Sequence, residues 1–422
     1  MVITYVKEGL PQAREDRQDL SDQVSLMLRV IEAEGEAAVT RYARQFDRHD
    51  GPVLLSDADR ARAIAMVPDA VKDDIRYAHD NIRRFAQAQR ASVTDCEIEL
   101  APGLVAGQKL IPVSAAGCYV PGGRYSHVAS ALMTITTAKV AGVPHITAAS
   151  PPKPGQGIPP AVIFTMDLAG ADAILSLGGV QAVAAMAYGH FGLPGADILV
   201  GPGNQYVAEA KRQLFGPVGI DMVAGPTDSM ILADRRADPE TVAWDLVGQA
   251  EHGYNSPVWL VTNDTCLAQS VLAMVPRLID TLPEPNAENA RRAWDCFGEI
   301  ILCDSFEDMA RVADEYAPEH LHVQAEGLEW WLNRLRVYGS LFLGAETTVA
   351  FGDKCAGPNH VLPTSGAARY TGGLSVHKFL KTVTWQRATP EAARPVAAAA
   401  ARISRLEGME GHARTADLRL RG

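Results

Sequence analysis

Four short segments concentrate the side chains that could bind a metal or move a proton. The first is Gln249-Ala250-Glu251-His252-Gly253, which follows an apolar run from Val242 to Val247 that predicts a helix stopping at Gly253. Gln249 and His252 are three apart and share a helical face, where an amide oxygen and a neutral imidazole can ligate a metal. Two such groups are not a site, and the same five residues suit a polar helix end with a capping histidine. The second segment, Tyr316-Ala317-Pro318-Glu319-His320-Leu321, sets a carboxylate beside an imidazole just before a strand. Glu319 and His320 could do acid–base work near neutral pH, although as a bare dipeptide the pair is common. The third runs from Gly352 to His360, where Asp353 and His360 in a Gly/Pro loop suggest a rigid polar site rather than a solvated turn. The fourth, Glu407-Gly408-Met409-Glu410-Gly411-His412, places a histidine between small residues in the tail, a setting in which it is usually just exposed.

Two glycine-rich turns could receive an anionic ligand. Tyr119-Val120-Pro121-Gly122-Gly123-Arg124 follows a predicted strand, and Gly201-Pro202-Gly203-Asn204 lies between a strand and a helix. Glycine lets the backbone approach a ligand, and a helix N-terminus favours a pyrophosphate. Neither turn matches the GxGxxG fingerprint, so each also suits an ordinary tight connection between strand and helix.

The elements that position these residues follow from periodicity. Ser21 to Asp47 reads as helix broken at Gly35, with Val24, Met27, Leu28 and Ile31 on one apolar face, and Pro68 to Ser92 as a second helical stretch. This region looks like a helical lead-in or a dimer-packing arm. From about Ile111, short apolar runs alternate with helical patterns: Gly117–Val120, Ile146–Ala149, Ala173–Leu177, Asp197–Val200, Met230–Ala233, Val258–Val261, Glu299–Cys303, Leu321–Gln324 and Ser340–Leu343 are the predicted strands. Repeated strand–helix–strand order means parallel sheets, and this many strands implies two doubly wound units. Pro283 to Glu288 reads as a surface loop, and the Ala- and Arg-rich tail from Pro390 as helix.

Composition bounds the function classes. With 422 residues, 47% apolar and 21% charged, the chain has the makeup of a globular enzyme of two or three domains. A net charge of −11 argues against a broad nucleic-acid surface but says nothing about a local positive pocket. The six cysteines show no CxxC spacing, so neither a disulfide framework nor a thiolate zinc knot is expected. Met1 to Asp19 is charged, with no apolar run, so a cytoplasmic location without membrane contact is the default expectation.

Taken together, the segments GCYVPGG, LGGVQA, LVGPGN, GIDMVAGP, QAEHG, YAPEHL, GSLFLG, FGDKCAGPNHVLPT, GGLSV and RLEGMEGH resemble the histidinol dehydrogenase family over nearly the whole chain. The resemblance implies an α/β fold with two incomplete Rossmann-like domains, an N-terminal helical segment and a C-terminal tail exchanged in a homodimer. The implied divisions are an arm over 1–25, a first domain over 26–118 plus 228–370, an NAD-contacting domain over 119–227, and a tail over 371–422. It also implies one zinc per subunit and two successive NAD-dependent oxidations, from alcohol to aldehyde to carboxylate. By motif, Gln249, His252, Asp353 and His412 look like zinc ligands, with His412 supplied by the partner subunit. Glu319 and His320 look like the catalytic pair: His320 takes the alcohol proton and Glu319 activates the water that attacks the aldehyde. Tyr119, Gln181 and Asn204 look like NAD contacts, and Thr227, His360 and Glu407 fall at substrate-contact positions.

Departures from the family pattern bear on the substrate. Lys354 follows the metal-site Asp where histidinol dehydrogenases usually have Tyr, and Thr227-Asp228 replaces Ser-Glu. Arg124, His127 and Ala129 stand where small residues and a serine are usual. Histidinol is a cation; even at an effective dielectric near 20, two like charges about 4 Å apart cost roughly 4 kcal/mol. An anionic polyol is attracted instead, with Lys354 as the donor to its anion and Arg124 or His127 to complete the clamp. The stretches Tyr338–Gly344, Thr347–Lys354 and Gly373–Phe379 resemble the branch of sulfopropanediol 3-dehydrogenases, which oxidise 2,3-dihydroxypropane-1-sulfonate to sulfolactate. The alternatives are histidinol dehydrogenase itself and, more remotely, a non-catalytic zinc-binding homologue.

Overall fold

The computed structural model describes residues 3–10, 18–122, 127–222 and 225–421. In chain order its strands are β1 (Thr4–Lys7), β2 (Cys96–Ala101), β3 (Leu104–Pro112), β4 (Ala115–Tyr119), β5 (His145–Ser150), β6 (Ala173–Ser176), β7 (Ile198–Val200), β8 (Gly219–Ile220), β9 (Ser229–Ala233), β10 (Val258–Thr262), β11 (Glu299–Leu302), β12 (His320–Gln324), β13 (Ser340–Leu343) and β14 (Leu380–Ala388). They form a five-stranded sheet in the order β6-β5-β4-β7-β8, a six-stranded sheet in the order β1-β11-β10-β9-β12-β13, and a three-stranded sheet in the order β14-β3-β2. The five-stranded sheet is wholly parallel. The six-stranded sheet is parallel except for β1, which runs antiparallel along its β11 edge. The fold is therefore α/β with two doubly wound parallel sheets, as the alternation of strand and helix predicts.

All nine predicted strands are present, each within two residues of its expected ends. The helix predicted over Ser21–Asp47 forms as Gln18–Glu34 and Glu36–Tyr42, and Gly35 marks the break with φ +63°, a conformation that glycine adopts without strain. The second predicted helix forms as Asp69–Ala91. Five strands lie outside those predicted: β1, β8, and β2, β3 and β14, which make an antiparallel sheet in which Leu380–Ala388 pairs residue for residue with Leu104–Pro112. A helix over Asp57–Met66, opened by a Ser56 capping box, was likewise not expected, and the expected loop at Pro283–Glu288 gives way to helix from Asn286.

The helices of the first ninety residues cover the five-stranded sheet, and Asp69–Ala91 also meets the 228–370 segment with which the expected first domain groups it, Asn81 Nδ2 donating to the Cys355 carbonyl at 3.0 Å. Val24, Leu28 and Ile31 pack with Leu175, Val183 and Val207 on one face. Ile75, Ala78 and Ile82 pack with Ile146, Met166 and Ile174 on the other. Residues 4–7 add an edge strand to the six-stranded sheet, so part of the expected N-terminal arm is built into a domain. The tail beyond β14 is a hairpin of helices, Pro390–Leu406 and Glu410–Asp417, meeting through a small cluster of Ala397, Ala401 and Ala416. Among the described residues no helix is long and apolar enough to cross a membrane.

Glu209 fastens the N-terminal helix to the sheet layer. Its carboxylate accepts hydrogen bonds from Arg212 and Gln213, and Gln213 also donates to Ser21. The Arg212 hydrogen bonds outweigh burial and hold the Glu209 carboxyl at about 2. A folded-state value below the unfolded one gives stabilisation that is complete above about pH 4.5 and is lost as pH falls through about 2. Glu209→Gln should therefore lower the melting temperature at pH 7, and the two melting curves should converge as pH falls toward 2. A gap that does not narrow with acid would show that ionised Glu209 contributes no net stability.

Candidate active site

The starts of β9, β12 and β13 align, because His320 pairs in register with Ser229 on one side and Ser340 on the other. The residue before each outer turn therefore lies at one edge of the six-stranded sheet, and Asp228 fastens that edge. Its Oδ1 accepts the Glu319 N–H at 2.6 Å, its Oδ2 accepts the Ser365 N–H at 3.1 Å, and its own N–H donates to Glu319 Oε2 at 3.2 Å. Its carbonyl lies 3.2 Å from His320 Nδ1. A carbonyl can only accept, so Nδ1 carries the proton and Nε2 of the neutral ring is left with its lone pair. That Nε2 is buried without a hydrogen-bond partner and stands 3.6 Å from Asp353 Oδ1.

The electrostatics of this pair follow from burial. Glu319 is 5% exposed, and loss of water pushes its carboxyl well above the usual carboxylate range. Burial works against charge on His320, but Glu319, with its Oε2 3.8 Å from Nδ1, and Asp353 outweigh it and raise the imidazole. The two groups together hold a proton more tightly than isolated side chains would. Asp353 goes the other way: burial opposes its charge, yet His320, His360 and His252 keep its carboxyl at about 2.

Two of the expected metal donors, His252 and Asp353, meet here, and a third, Gln249, lies three residues before His252. Gln249 lies in the last turn of the Pro239–Ala250 helix, which Asp238 caps through the Thr241 N–H. Its Oε1 is buried with no hydrogen-bond partner, a costly state for an amide oxygen that no ligand satisfies. His252 Nε2 stands 3.7 Å from Asp353 Oδ2. Two ligands each about 2.0–2.1 Å from a tetrahedral ion lie roughly 3.3 Å apart, so this spacing suits a shared metal. Among the described residues no three His, Cys, Asp or Glu side chains form a complete metal cluster. The set is one imidazole, one carboxylate and one amide oxygen, which fits zinc and leaves a place for a further donor.

His360 completes the wall of a cleft of about 260 Å³ lined also by His320, Phe342, Asp353 and Asn359. Its Nδ1 donates to the Asp353 carbonyl at 2.8 Å, which leaves Nε2 to accept from Ser130 Oγ at 3.1 Å. His127 is half-buried, and burial, reinforced by His360, Lys354 and His252, pushes its imidazole down to about 4. Lys354 is exposed, and among the described residues it has no carboxylate partner.

A second group of expected residues gathers at the carboxyl ends of β4, β6 and β7. The Gly179 N–H donates to Tyr119 Oη at 3.2 Å, and Gln181 Nε2 donates to Asp47 Oδ2 at 2.9 Å. Asp47 also accepts the Gly178 N–H at 3.0 Å, so a carboxylate occupies the start of the Gly179–Tyr188 helix. Asn204 caps the Gln205–Leu214 helix, its Oδ1 accepting the Tyr206 and Val207 N–H groups. Behind it Gly201 has φ +113°, and a Cβ there would run into the Tyr119 carbonyl. The fully buried Lys211–Asp221 ion pair grips the Gly201 carbonyl and N–H and fixes that turn.

The remaining expected residues divide. Thr227 is half-buried beside Asp228. Glu407 and His412 lie on the exposed tail hairpin, and no hydrogen bond or ion pair among the described residues joins them to the cleft of the same chain. Arg124 lies outside the described residues. The sequence reading missed Asp47 and Ser130, and it named Asp228 only as a departure. Asp47 is 131 positions from Gly178, and nothing local marks it as a partner of that turn.

A family model for histidinol dehydrogenase matches residues 10–420. The chain belongs to the histidinol dehydrogenase family and is an oxidoreductase of that family. It is 66% identical over its whole length to a histidinol dehydrogenase homolog of Ruegeria pomeroyi, covering 97% of that protein. It is 62% identical to a sulfopropanediol 3-dehydrogenase of the same organism, covering 97% of that protein as well. Its fold superposes on the crystal structure of histidinol dehydrogenase from Elizabethkingia anophelis with a TM-score of 0.91 at 34% identity, over 98% of this chain and 94% of the other.

Asp228→Ala leaves the buried Glu319 N–H without its acceptor. An orphaned buried amide costs about 1–3 kcal/mol, so denaturant unfolding should show a loss of that size, and kcat should fall at the same time. Unchanged stability would mean that the Asp228 contacts are replaced by water.

Proposed function

We propose that this chain is a zinc- and NAD-dependent alcohol dehydrogenase that oxidises a small anionic polyol to its carboxylate through an aldehyde. The substrate we propose is 2,3-dihydroxypropane-1-sulfonate, with sulfolactate as product. The observation that carries this reading is Lys354, a cation without a carboxylate partner among the described residues, close enough to His127, His252 and His360 to add to the burial that lowers all three. A sulfonate offers permanent negative charge and three acceptor oxygens to such a donor. The relative named as a sulfopropanediol 3-dehydrogenase supports the same choice. Histidinol is the second reading, favoured by the name of the Ruegeria relative at 66% identity, but its positive charge would meet this cluster unfavourably.

Gln249, His252 and Asp353 would hold the zinc, with His412 of the partner subunit. When bound, zinc supplies positive charge that acidifies a hydroxyl, and NAD supplies the hydride acceptor. In its neutral form His320, with Nδ1–H fixed on the Asp228 carbonyl, presents Nε2 to accept the alcohol proton. Glu319, whose carboxyl is raised by burial, takes the proton of the water that adds to the aldehyde. Tyr119, Gln181 and Asn204 contact NAD, while Thr227, His360 and Glu407, with Arg124 or His127, contact the substrate. The tail hairpin supports exchange in a homodimer: Val396, Ile403, Leu406 and Leu418 remain exposed on it.

The decisive measurement is the NADH yield per mole of substrate. Sulfopropanediol should give two NADH, histidinol little; the reverse preference would make histidinol the substrate. Lys354→Tyr should raise the KM for sulfopropanediol at least tenfold, equivalent to about 1.4 kcal/mol, and leave weak turnover of glycerol unchanged. An unaltered KM removes Lys354 from substrate binding. Mixing His412→Ala with His252→Ala subunits should restore partial activity, because one hybrid site then keeps both ligands. No recovery would mean that each site is built from one chain.

A further inference from the structure

Thr348 stands at the N-cap of the short helix Val349–Lys354, which carries Asp353, yet its hydroxyl makes no hydrogen bond to that helix. A threonine at an N-cap ordinarily lends its oxygen to the first free N–H groups behind it. Here the Thr348 hydroxyl turns away and donates to Asp245 Oδ1 at 2.8 Å.

Asp245 is joined to more than this one group. Its Oδ2 accepts Gln324 Nε2 at 2.7 Å and lies 3.4 Å from His322 Nδ1. His322 is completely buried, and its Nε2 donates to the Gly344 carbonyl at 2.8 Å, at the end of β13. Asp245 is four residues ahead of Gln249 on the same helix face, one turn away. His322 and Gln324 alternate with His320 along β12, so all three point to one side of the sheet. One carboxylate thus ties together the helix that carries Gln249, the helix that carries Asp353 and the strand that begins at His320.

We propose that Asp245 is a positioning residue, which through Thr348, Gln324 and His322 sets the separation of the Gln249 amide and the Asp353 carboxylate beside His320. It touches none of the proposed donors itself. Its contribution is to fix the relative placement of the elements that bear them, in the way that outer partners of metal ligands generally set ligand geometry. A donor set drawn from separate elements has no local restraint on its spacing, and a displacement of a few tenths of an ångström is felt at ligand distances of about 2.0–2.2 Å. The inference rests on reading Gln249, His252 and Asp353 as zinc donors.

The test is zinc affinity of the full-length protein, measured by competition with a chromophoric chelator, together with thermal melting of the metal-free forms. Wild type, Thr348→Val, Thr348→Ser and Asp245→Asn are compared. Thr348→Val keeps the side-chain shape and the Asp245 contacts to Gln324 and His322 but removes the link to the Asp353 helix. It should bind zinc about 10–100-fold more weakly than wild type, the usual loss for an outer partner, while melting within a few degrees of it. Thr348→Ser keeps the hydroxyl and should hold zinc within threefold of wild type. Asp245→Asn removes the charge that strengthens the Thr348 and Gln324 hydrogen bonds and should also weaken zinc binding; if it does not fold, the two Thr348 variants still decide the point. Zinc affinity of Thr348→Val within twofold of wild type overturns the proposal alone. A drop in melting temperature with unchanged zinc affinity shows a purely structural role and overturns it as well. Wild-type protein that takes up no zinc overturns both this proposal and the metal reading beneath it.

Discussion

The carboxylate of Asp228 has two oxygens and two backbone N–H groups to serve, and the site depends on how it is shared. Oδ1 holds the Glu319 N–H, Oδ2 holds Ser365, and the main chain on either side of the carboxylate engages Glu319 and His320. Because Asp228 immediately precedes β9, these bonds place the Glu319–His320 pair at the start of β12 and leave it no freedom to follow the loop that precedes it. The same bonds dictate the ring orientation of His320. With Nδ1 committed to a carbonyl, the free nitrogen faces Asp353 and the cleft.

Two edges with different characters meet around that cleft. The six-stranded sheet contributes the starting ends of its strands, where Asp228, His320 and Ser340 lie. The five-stranded sheet contributes carboxyl ends, the usual side for ligands in an open α/β sheet. Ser130 to His360, and Asn359 to the Met133 carbonyl, are hydrogen bonds that join the two halves directly. At the five-stranded edge Asn204 caps one helix, and Asp47 accepts the Gly178 N–H just ahead of another.

The charge distribution at the cleft is uneven in a useful way. Acidic groups lie deep: Glu319 and Asp228 are buried against the sheet edge, and Asp353 is nearly so. Basic groups lie toward the opening, with Lys354 and His252 exposed and His127 half-buried. One cation, Lys354, therefore stands at the mouth, beside imidazoles that burial keeps neutral, while the proton-transfer groups are kept from bulk water. The overall charge of −11 gives no hint of this local inversion.

The sequence by itself determined the alternation of strand and helix, the two-sheet α/β class, the helix break at Gly35 and the motifs that place the chain in its family. These are written in local periodicity and in residues close together in the chain, which is why they could be read there. It carried a weaker signal for β2, where Glu97 and Glu99 alternate with Ile98 and Leu100; with all four exposed, no buried face made the period stand out. Only the tertiary structure decided that β14 closes that sheet from the far end of the chain, and that residues 18–91 cover the five-stranded sheet rather than the other. Only it brought Asp47 to Gly178, Asp228 to Glu319 and Thr348 to Asp245, because long-range hydrogen bonds leave no periodic mark on either partner. It also separated Glu407 and His412 from the cleft of their own chain, since a tail hairpin that packs on itself, β14 and the Gly103–Leu104 turn can be placed by no local rule.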